Sequence, residues 1–497
     1  MSQFNWLLDG SIVGLYLLVT MMAGLYVRKY VSNVDDFLVA GREMNVYLGI
    51  ASLAATEFGI VTCMYTAEAG YKYGFAGATP GIAMAMAMLV VGLTGFCIKP
   101  LRDSGVITIP ELIEKQFGAR VRWAAGVVIV LGGLLNMGVF LRVGGQFLVK
   151  IVGLSVTSFE LAGYKIGYLE IIMTVLLIGV ATYTIFGGML SVLITDFLQF
   201  VVMSVGLIAV TILILVNVGW DKLVTTVETN YGAGGLNPFV HPDLGWQYVV
   251  FQFMLNFAAV LTWQTTIARV LAAKDTKTGQ QIYTRTSFFF VCRFLIPGIW
   301  GIAALATLGQ TSNTLEAMPT FLATFVPVGL IGLCVAAMLA ADMSTDSSYM
   351  LTWASVIYND ILAPFRKGSW SEKTGLFVNR SLVALIGVFL LFYGLWYPLE
   401  GDVWTYLGIT GTIYLASISV LLISCCYWKR SNNWGAIASI VVSALIPITF
   451  LVLEKNSSTK DLAKQIGPYY SGIAAYVCSA LGMIVGSLLK PKGVEKV

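Results

Sequence analysis

Charge is what this sequence has least of: Asp, Glu, Lys and Arg make up only 11% of its 497 residues, against about 25% in an ordinary soluble domain. A fold surrounded by water has no way to hide the 58% of residues that are hydrophobic, so a soluble enzyme or scaffold is excluded. Histidine is nearly missing as well. The single one, His241, stands in a polar loop beside Pro242 and reads as a surface residue, which removes histidine-based metal sites and catalytic triads. The seven cysteines (Cys63, Cys97, Cys292, Cys334, Cys425, Cys426 and Cys478) fall inside apolar runs without the spacing of a zinc site or a disulfide framework, and read as small core packers. A net charge of +4 is too small a surplus to suggest a nucleic-acid partner. The start lacks the basic region and small-residue cleavage site of a signal peptide, so the first apolar run, near Ser11 to Tyr26, is expected to stay as a span.

Long apolar runs are what the sequence does have. Crossing the hydrocarbon takes about 20 mainly apolar residues per helix, and hydropathy with loop signals predicts about thirteen spans in one membrane domain covering 1–497. They fall at 8–28, 44–72, 77–99, 121–151, 165–187, 189–218, 246–273, 282–309, 323–363, 375–397, 400–428, 433–454 and 469–490. With the N-terminus outside, Lys72, Lys150, Lys165, Lys222, Lys455, Lys460 and Lys464 face outward and Arg142 and Arg293 lie within spans. The remaining 21 of the 30 Lys and Arg, among them Arg269, Arg366, Lys367, Lys492 and Lys496, then face the cytoplasm. Cytoplasmic loops carry the excess of basic residues, so the expected arrangement is N-terminus out and C-terminus in, in the inner (plasma) membrane.

Within those spans lie Glu57, Glu68, Arg142, Asp196, Arg293, Asp342 and Asp346. Each charge costs about 2.5–3.5 kcal/mol at the membrane centre on insertion scales, and residues retained at that cost usually face a bundle interior or an ion or solute pathway. Arg142 and Arg293 are expected to neutralise buried acids. The run Ala341-Asp342-Met343-Ser344-Thr345-Asp346-Ser347-Ser348 puts Ala341, Ser344, Thr345 and Ser348 on one helix face and Asp342 and Asp346 on the neighbouring one. Hydroxyls with a carbonyl make a hard oxygen set suited to a small monovalent cation; the other use of such hydroxyls is bonding back to their own helix. In Ala54-Ala55-Thr56-Glu57-Phe58-Gly59, an acid and a glycine stand mid-span. Gly59 either lets the backbone leave helical geometry and frees carbonyls for an ion, or serves close helix packing.

These segments join others in a set: Asp35-Asp36-Phe37-Leu38-Val39-Ala40-Gly41-Arg42; Thr108-Ile109-Pro110-Glu111 with Gln116-Phe117-Gly118; Gly187-Gly188-Met189-Leu190-Ser191-Val192 with Thr195-Asp196 and Gln199; Arg269-Val270-Leu271-Ala272; Met343-Ser344-Thr345; and Trp428-Lys429-Arg430-Ser431-Asn432. Six short pieces in order, between about residues 10 and 440, resemble the sodium/solute symporter family. The resemblance implies an all-α leucine-transporter fold with two inverted five-helix repeats, at about 44–218 and 246–428. One extra helix, at about 8–28, precedes them and two, at about 433–490, follow. It implies a sodium-coupled symporter that carries a small organic solute inward by alternating access, with sodium as the co-transported ion, membrane lipid around it and no enzymatic activity. A proton-coupled carrier using Glu57, Asp196 or Asp342, and a non-transporting sensor on the same fold, are the rival readings.

Carried over residue by residue, the family pattern places one sodium among the carbonyls of Ala55, Phe58 and Ala341 and the hydroxyls of Ser344 and Thr345. It also allows a second at Asp196, Ser344, Ser347 and Ser348. The nearest local likeness is to choline-type and pantothenate-type members, through Thr66-Ala67-Glu68-Ala69-Gly70-Tyr71 and Trp263-Gln264. A choline cage needs several aromatic faces around the cation, and Glu57 and Asn136 stand where the choline branch uses tryptophans, so choline itself is not expected. Glu57, Asn136, Asn256 and Trp263 are the expected solute contacts, for an amine- or amino-acid-like substrate. Many relatives read Met-Ser-Thr-Ala-Asp-Ser-Ser, whereas here the acid comes one residue earlier, at Asp346, and Asp342 is additional.

Overall fold

In hydrocarbon every backbone N–H and C=O must be satisfied within the protein, and a helix does this within a single segment. The sequence obeys. A computed structural model describes residues 2–154, 158–161, 164–362, 365, 368, 370–396 and 403–490, and nearly all of its regular structure is helical. The only strands among the described residues form a short antiparallel hairpin, Ser158–Leu161 with Tyr164–Gly167, outside the predicted spans apart from its last residues. Ten helical stretches among the described residues are long and apolar enough to cross a membrane. Arg366, Lys367, Lys492 and Lys496 lie outside the described residues, as do the expected span ends at 363, 397 and 400.

The molecule is arranged around the Leu330–Val356 helix, in which every residue from Cys334 to Val356 is buried. Apart from Asp342 and Asp346 its residues are apolar, small or hydroxyl-bearing, as suits a helix enclosed on every side. The Tyr168–Asn217 helix packs along it on one side and turns Val175, Ile178, Val205, Ile208 and Ile212 outward, as a lipid-facing helix must. The Leu8–Val27 helix packs against both. Its Asp9, absent from the predicted set of buried acids, is fully buried and caps the central helix from outside: one carboxylate oxygen accepts from the N–H of Gly329 at 2.7 Å and of Gly332 at 2.9 Å. The first N–H groups of a helix have no partner within it, and a carboxylate there also complements the helix dipole.

The expected division between spans 165–187 and 189–218 is present: Tyr168–Asn217 is two helices joined across a kink at Gly188, which takes φ 51° and ψ −145°, a region that only glycine enters freely. Several other boundaries are not where they were expected. The span expected to begin at 323 begins at Leu330, because Ala317–Phe325 is a separate helix. The span expected at 246–273 is broken in two, Gly245–Thr262 and Gln264–Ala272. His241 is not a surface residue: it is 4% exposed and packs edge-on against Tyr73 at 5.2 Å between ring centres. Burial there pushes its imidazole below the usual histidine pKa.

The cap from Asp9 gives the first test. Asp9→Ala would leave the buried N–H of Gly332 and the half-buried N–H of Gly329 without this acceptor, at about 1–3 kcal/mol for the buried group and less for the other. We expect the melting temperature of the purified protein to fall by several degrees in Asp9→Ala and by less in Asp9→Asn, which keeps an acceptor oxygen.

Candidate functional site

The Val46–Glu57 helix stops inside the protein and the Ile60–Tyr73 helix starts two residues later, leaving Phe58 and Gly59 as a short extended joint. Phe58 has φ −102° and ψ 72°, and Gly59 has φ −75° and ψ 163°. Both are conformations open to any residue, so the break expected at Gly59 is present but not for the expected reason. What the glycine supplies is space: a Cβ there would stand 2.9 Å from Thr345 Oγ1. That hydroxyl lies 2.9 Å from the Thr56 carbonyl oxygen and 3.0 Å from that of Ala341. Thr345 therefore clasps the end of the broken helix to the central one. Phe58, in the joint, and Ala55, on the helix before it, are both buried.

The serines of the central helix face elsewhere. Ser344 donates to Asp196 Oδ1 at 2.6 Å, and Ser347 bonds back to the Ser344 carbonyl at 3.1 Å. The other Asp196 oxygen accepts from Ser52 at 2.5 Å and from Arg269 Nη2 at 3.1 Å. Arg269, read from sequence as facing the cytoplasm at the end of the 246–273 span, is fully buried on the Gln264–Ala272 helix. Its guanidinium also donates to Thr56 at 2.6 Å, to Ser348 at 2.5 Å, to Ser52 at 3.0 Å and to the Thr265 carbonyl at 3.1 Å. The position expected to hold a second sodium, between Asp196 and Ser348, is thus bordered by a fixed cation. Asp342 and Asp346, each 3% exposed, have neither hydrogen-bond nor ion-pair partner among the described residues. Asp342 Oδ1 lies against Gly144 of the neighbouring Phe140–Val152 helix.

A second joint mirrors the first. Trp263, at φ −64° and ψ 110°, separates Gly245–Thr262 from Gln264–Ala272, and its indole N–H donates to the Tyr349 hydroxyl at 3.2 Å. The two joints border one cavity of about 90 Å³. Its wall brings together Glu57, Asn136, Asn256 and Trp263, which the sequence reading grouped, with Thr345 beside them. The reading missed Tyr65, Phe140, Tyr349 and Trp404, which supply most of the aromatic lining. It also missed the Thr265 and Thr266 hydroxyls that hold Glu57 Oε1, at 3.3 and 2.8 Å. Arg293, expected only as a neutralising charge, meets Glu57 Oε2 at 3.4 Å and lines the same cavity. Arg142 is half-buried on the Phe140–Val152 helix.

A model of the sodium:solute symporter family matches residues 37–443. The chain belongs to that family. The symporter is 25% identical to the osmoregulated proline transporter OpuE of Bacillus subtilis (strain 168), over 96% of this chain and 94% of that one. It is 23% identical to the sodium/pantothenate symporter of Haemophilus influenzae over 98% of both chains. With the sodium/myo-inositol cotransporter of Mus musculus the identity is 24%, over 97% of this chain and 73% of the other. The solved structure of a Na+-coupled sialic acid symporter, described as substrate-bound and outward-open, superposes with a TM-score of 0.82 at 19% identity, over 98% of this chain and 99% of that one. The fold is the leucine-transporter fold. The symporter is a multi-pass membrane protein of the plasma membrane that couples the movement of a small solute to sodium, and it is a transporter rather than an enzyme.

The Asp196–Arg269 pair can be tested directly. Removing one partner of a buried pair costs about 3–5 kcal/mol because the other is left uncompensated. Arg269→Ala is therefore expected to abolish accumulation of folded protein in the membrane, while the double variant Arg269→Ala/Asp196→Ala recovers part of it. Size-exclusion profiles of the fluorescently tagged variants measure both.

Proposed function

We propose that the symporter carries an amine- or amino-acid-like solute into the cell, with sodium bound at the Phe58–Gly59 joint and the solute in the cavity beside it. The carbonyls of Ala55, Phe58 and Ala341 and the hydroxyls of Ser344 and Thr345 are the sodium ligands in this reading; Glu57, Asn136, Asn256 and Trp263 surround the solute. The observation that carries it is Thr345. Its hydroxyl lies within hydrogen-bond distance of the Thr56 carbonyl at the end of the broken helix and of the Ala341 carbonyl on the central one, so a cation entering there would meet neutral oxygens already gathered, next to the cavity wall. Unwound backbone at mid-membrane is a recurring cation site in transporters.

Asp196, Ser347 and Ser348 form a second sodium position in this proposal, reached when Arg269 and Ser344 release part of their hold on the carboxylate. The two joints support a division into inverted repeats, about 44–218 and 246–428, since each falls in the first long helix of its repeat. The helix at about 8–28 stands before the repeats and those at about 433–490 after them. The N-terminus faces outward and the C-terminus the cytoplasm, on the distribution of Lys and Arg, with lipid against the exposed apolar faces. Moving one sodium through 100 mV releases about 2.3 kcal/mol, enough for a roughly 50-fold solute gradient at 1.4 kcal/mol per tenfold.

Thr345→Ala removes one ligand and the clasp, and the sodium concentration for half-maximal uptake is expected to rise about tenfold or more, with a smaller rise for Ser344→Ala. An unchanged sodium dependence in both variants would sink the assignment. For the second position, the charge moved per solute is the readout: Asp196→Asn is expected to lower it by one, and an unaltered ratio in folded Asp196→Asn protein removes that sodium.

A further inference from the structure

Two arginines, Arg269 and Arg293, are buried among these helices, and their surroundings differ. Arg269 has five oxygen partners, the paired carboxylate included, all between 2.5 and 3.1 Å. Arg293, only 9% exposed, is held loosely: Nη1 lies 3.4 Å from Glu57 Oε2 and 3.6 Å from Met84 Sδ, while Nη2 lies 3.2 Å from Thr62 Oγ1 and 3.3 Å from the Tyr65 hydroxyl. Its Nε has no hydrogen-bond partner among the described residues. Charge-assisted N–H···O contacts are normally about 2.7–2.9 Å, so none of the five donors of this guanidinium is used at full strength. Glu57, in contrast, has a 2.8 Å contact from Thr266 besides Thr265. The deficit is on the cation.

The rest of the wall is complementary to that deficit. Asn136 spends its amide N–H groups on the Leu407 carbonyl at 3.0 Å and on Thr410 at 3.3 Å, and Asn256 spends its own on Gln252 at 2.7 and 3.3 Å. These contacts fix which way each amide is turned. The two amide oxygens, with no partner among the described residues, remain as acceptors on the cavity wall. Trp404 closes over the arginine side, packed on Tyr65 at 4.7 Å and on Phe294 at 5.6 Å between ring centres. The wall therefore offers an underused planar cation and a pair of acceptors between aromatic faces.

On the reading of this cavity as the solute site, we propose that Arg293 anchors a carboxylate of the solute and that the amide oxygens of Asn136 and Asn256 receive its amino group, so that the substrate is a small zwitterionic amino acid. Glu57, in the wall around the solute, then acts as a positioning residue by holding the guanidinium. A planar carboxylate matches the arginine fork with two parallel bonds. A zwitterion also leaves the net charge beside the Glu57–Arg293 pair unaltered, so neither end of the solute is left uncompensated in a low dielectric.

The purified wild-type protein tests this with the twenty common amino acids as probes, read by thermal shift and by tryptophan fluorescence in NaCl and separately in KCl. For each amino acid that responds, its carboxamide, the amine lacking the carboxyl group and the 2-hydroxy acid lacking the amino group are compared. We expect at least one amino acid to bind in NaCl and all three analogues to bind at least about tenfold more weakly. Arg293→Lys keeps the charge but not the fork; it is expected to weaken solute binding about tenfold and to leave the stabilisation by sodium alone unchanged. Carboxamides or amines that bind as well as the amino acid overturn the anchor, and a 2-hydroxy acid that binds as well overturns the amino half. If NaCl stabilises the protein over KCl while sugars bind and every carboxylate is silent, the substrate proposal fails and sodium coupling stands. If NaCl and KCl act alike while amino acids still bind, the sodium site at the joint fails and the carboxylate anchor survives.

Discussion

A buried carboxylate has to be neutralised where it sits, and in this protein Asp196 meets that condition by drawing four helical segments to one point. Ser52 comes from Val46–Glu57, Asp196 from Tyr168–Asn217, Arg269 from Gln264–Ala272 and Ser344 and Ser348 from Leu330–Val356. Between them the donors occupy both carboxylate oxygens, and the guanidinium in turn is surrounded by hydroxyls and one carbonyl. Charges this deep are tolerated only with such partners. Because the node joins both broken helices to the central one, the two joints are held at fixed positions relative to each other.

That restraint matters for the joints themselves. A helix interrupted inside a membrane has backbone groups without partners, and interruptions persist where the surroundings over-determine them. At the first joint Thr345 ties the Thr56 carbonyl, at the end of the first half-helix, to the central helix; at the second the Trp263 indole is tied to Tyr349 on that same helix and stacks on Tyr414 at 5.7 Å. One helix thus supports both breaks, which is why it is polar along one face and still fully buried. Any relative movement of the two joints has to pass through contacts with Leu330–Val356, and a cation or solute bound between them would alter those contacts first.

The pairing of Glu57 with Arg293 changes how the acids near the cavity are counted. Taken along the chain, Glu57, Asp196, Asp342 and Asp346 look like an excess of negative charge that calls for a cationic solute. In three dimensions Glu57 and Asp196 each have an arginine, and only Asp342 and Asp346, on the adjacent face of the central helix, are without one among the described residues. The charge of the cavity wall is therefore balanced, and specificity rests on which of its donors and acceptors are left underused.

Composition and the order of short motifs determined the class of protein, its helical nature and the membership of residues such as Ser344, Thr345, Glu57 and Trp263 in one region, because hydropathy and local pattern are properties of consecutive residues. The break at Phe58–Gly59 was legible from an acid and a glycine standing mid-span. The break at Trp263 was not: its backbone angles are open to any residue, so no glycine or proline marks it. Nor could the chain reveal that Arg269 lies in the interior, since it follows an apolar run and is succeeded by Lys274 and Lys277, as a loop arginine would be. His241 escaped for the same reason, a polar neighbourhood in sequence and an aromatic one in space. Which acid meets which arginine, and which hydroxyl turns toward the joint rather than toward Asp196, depends on contacts between residues up to 289 positions apart. Those pairings exist only once the helices have packed, and the tertiary structure alone decided them.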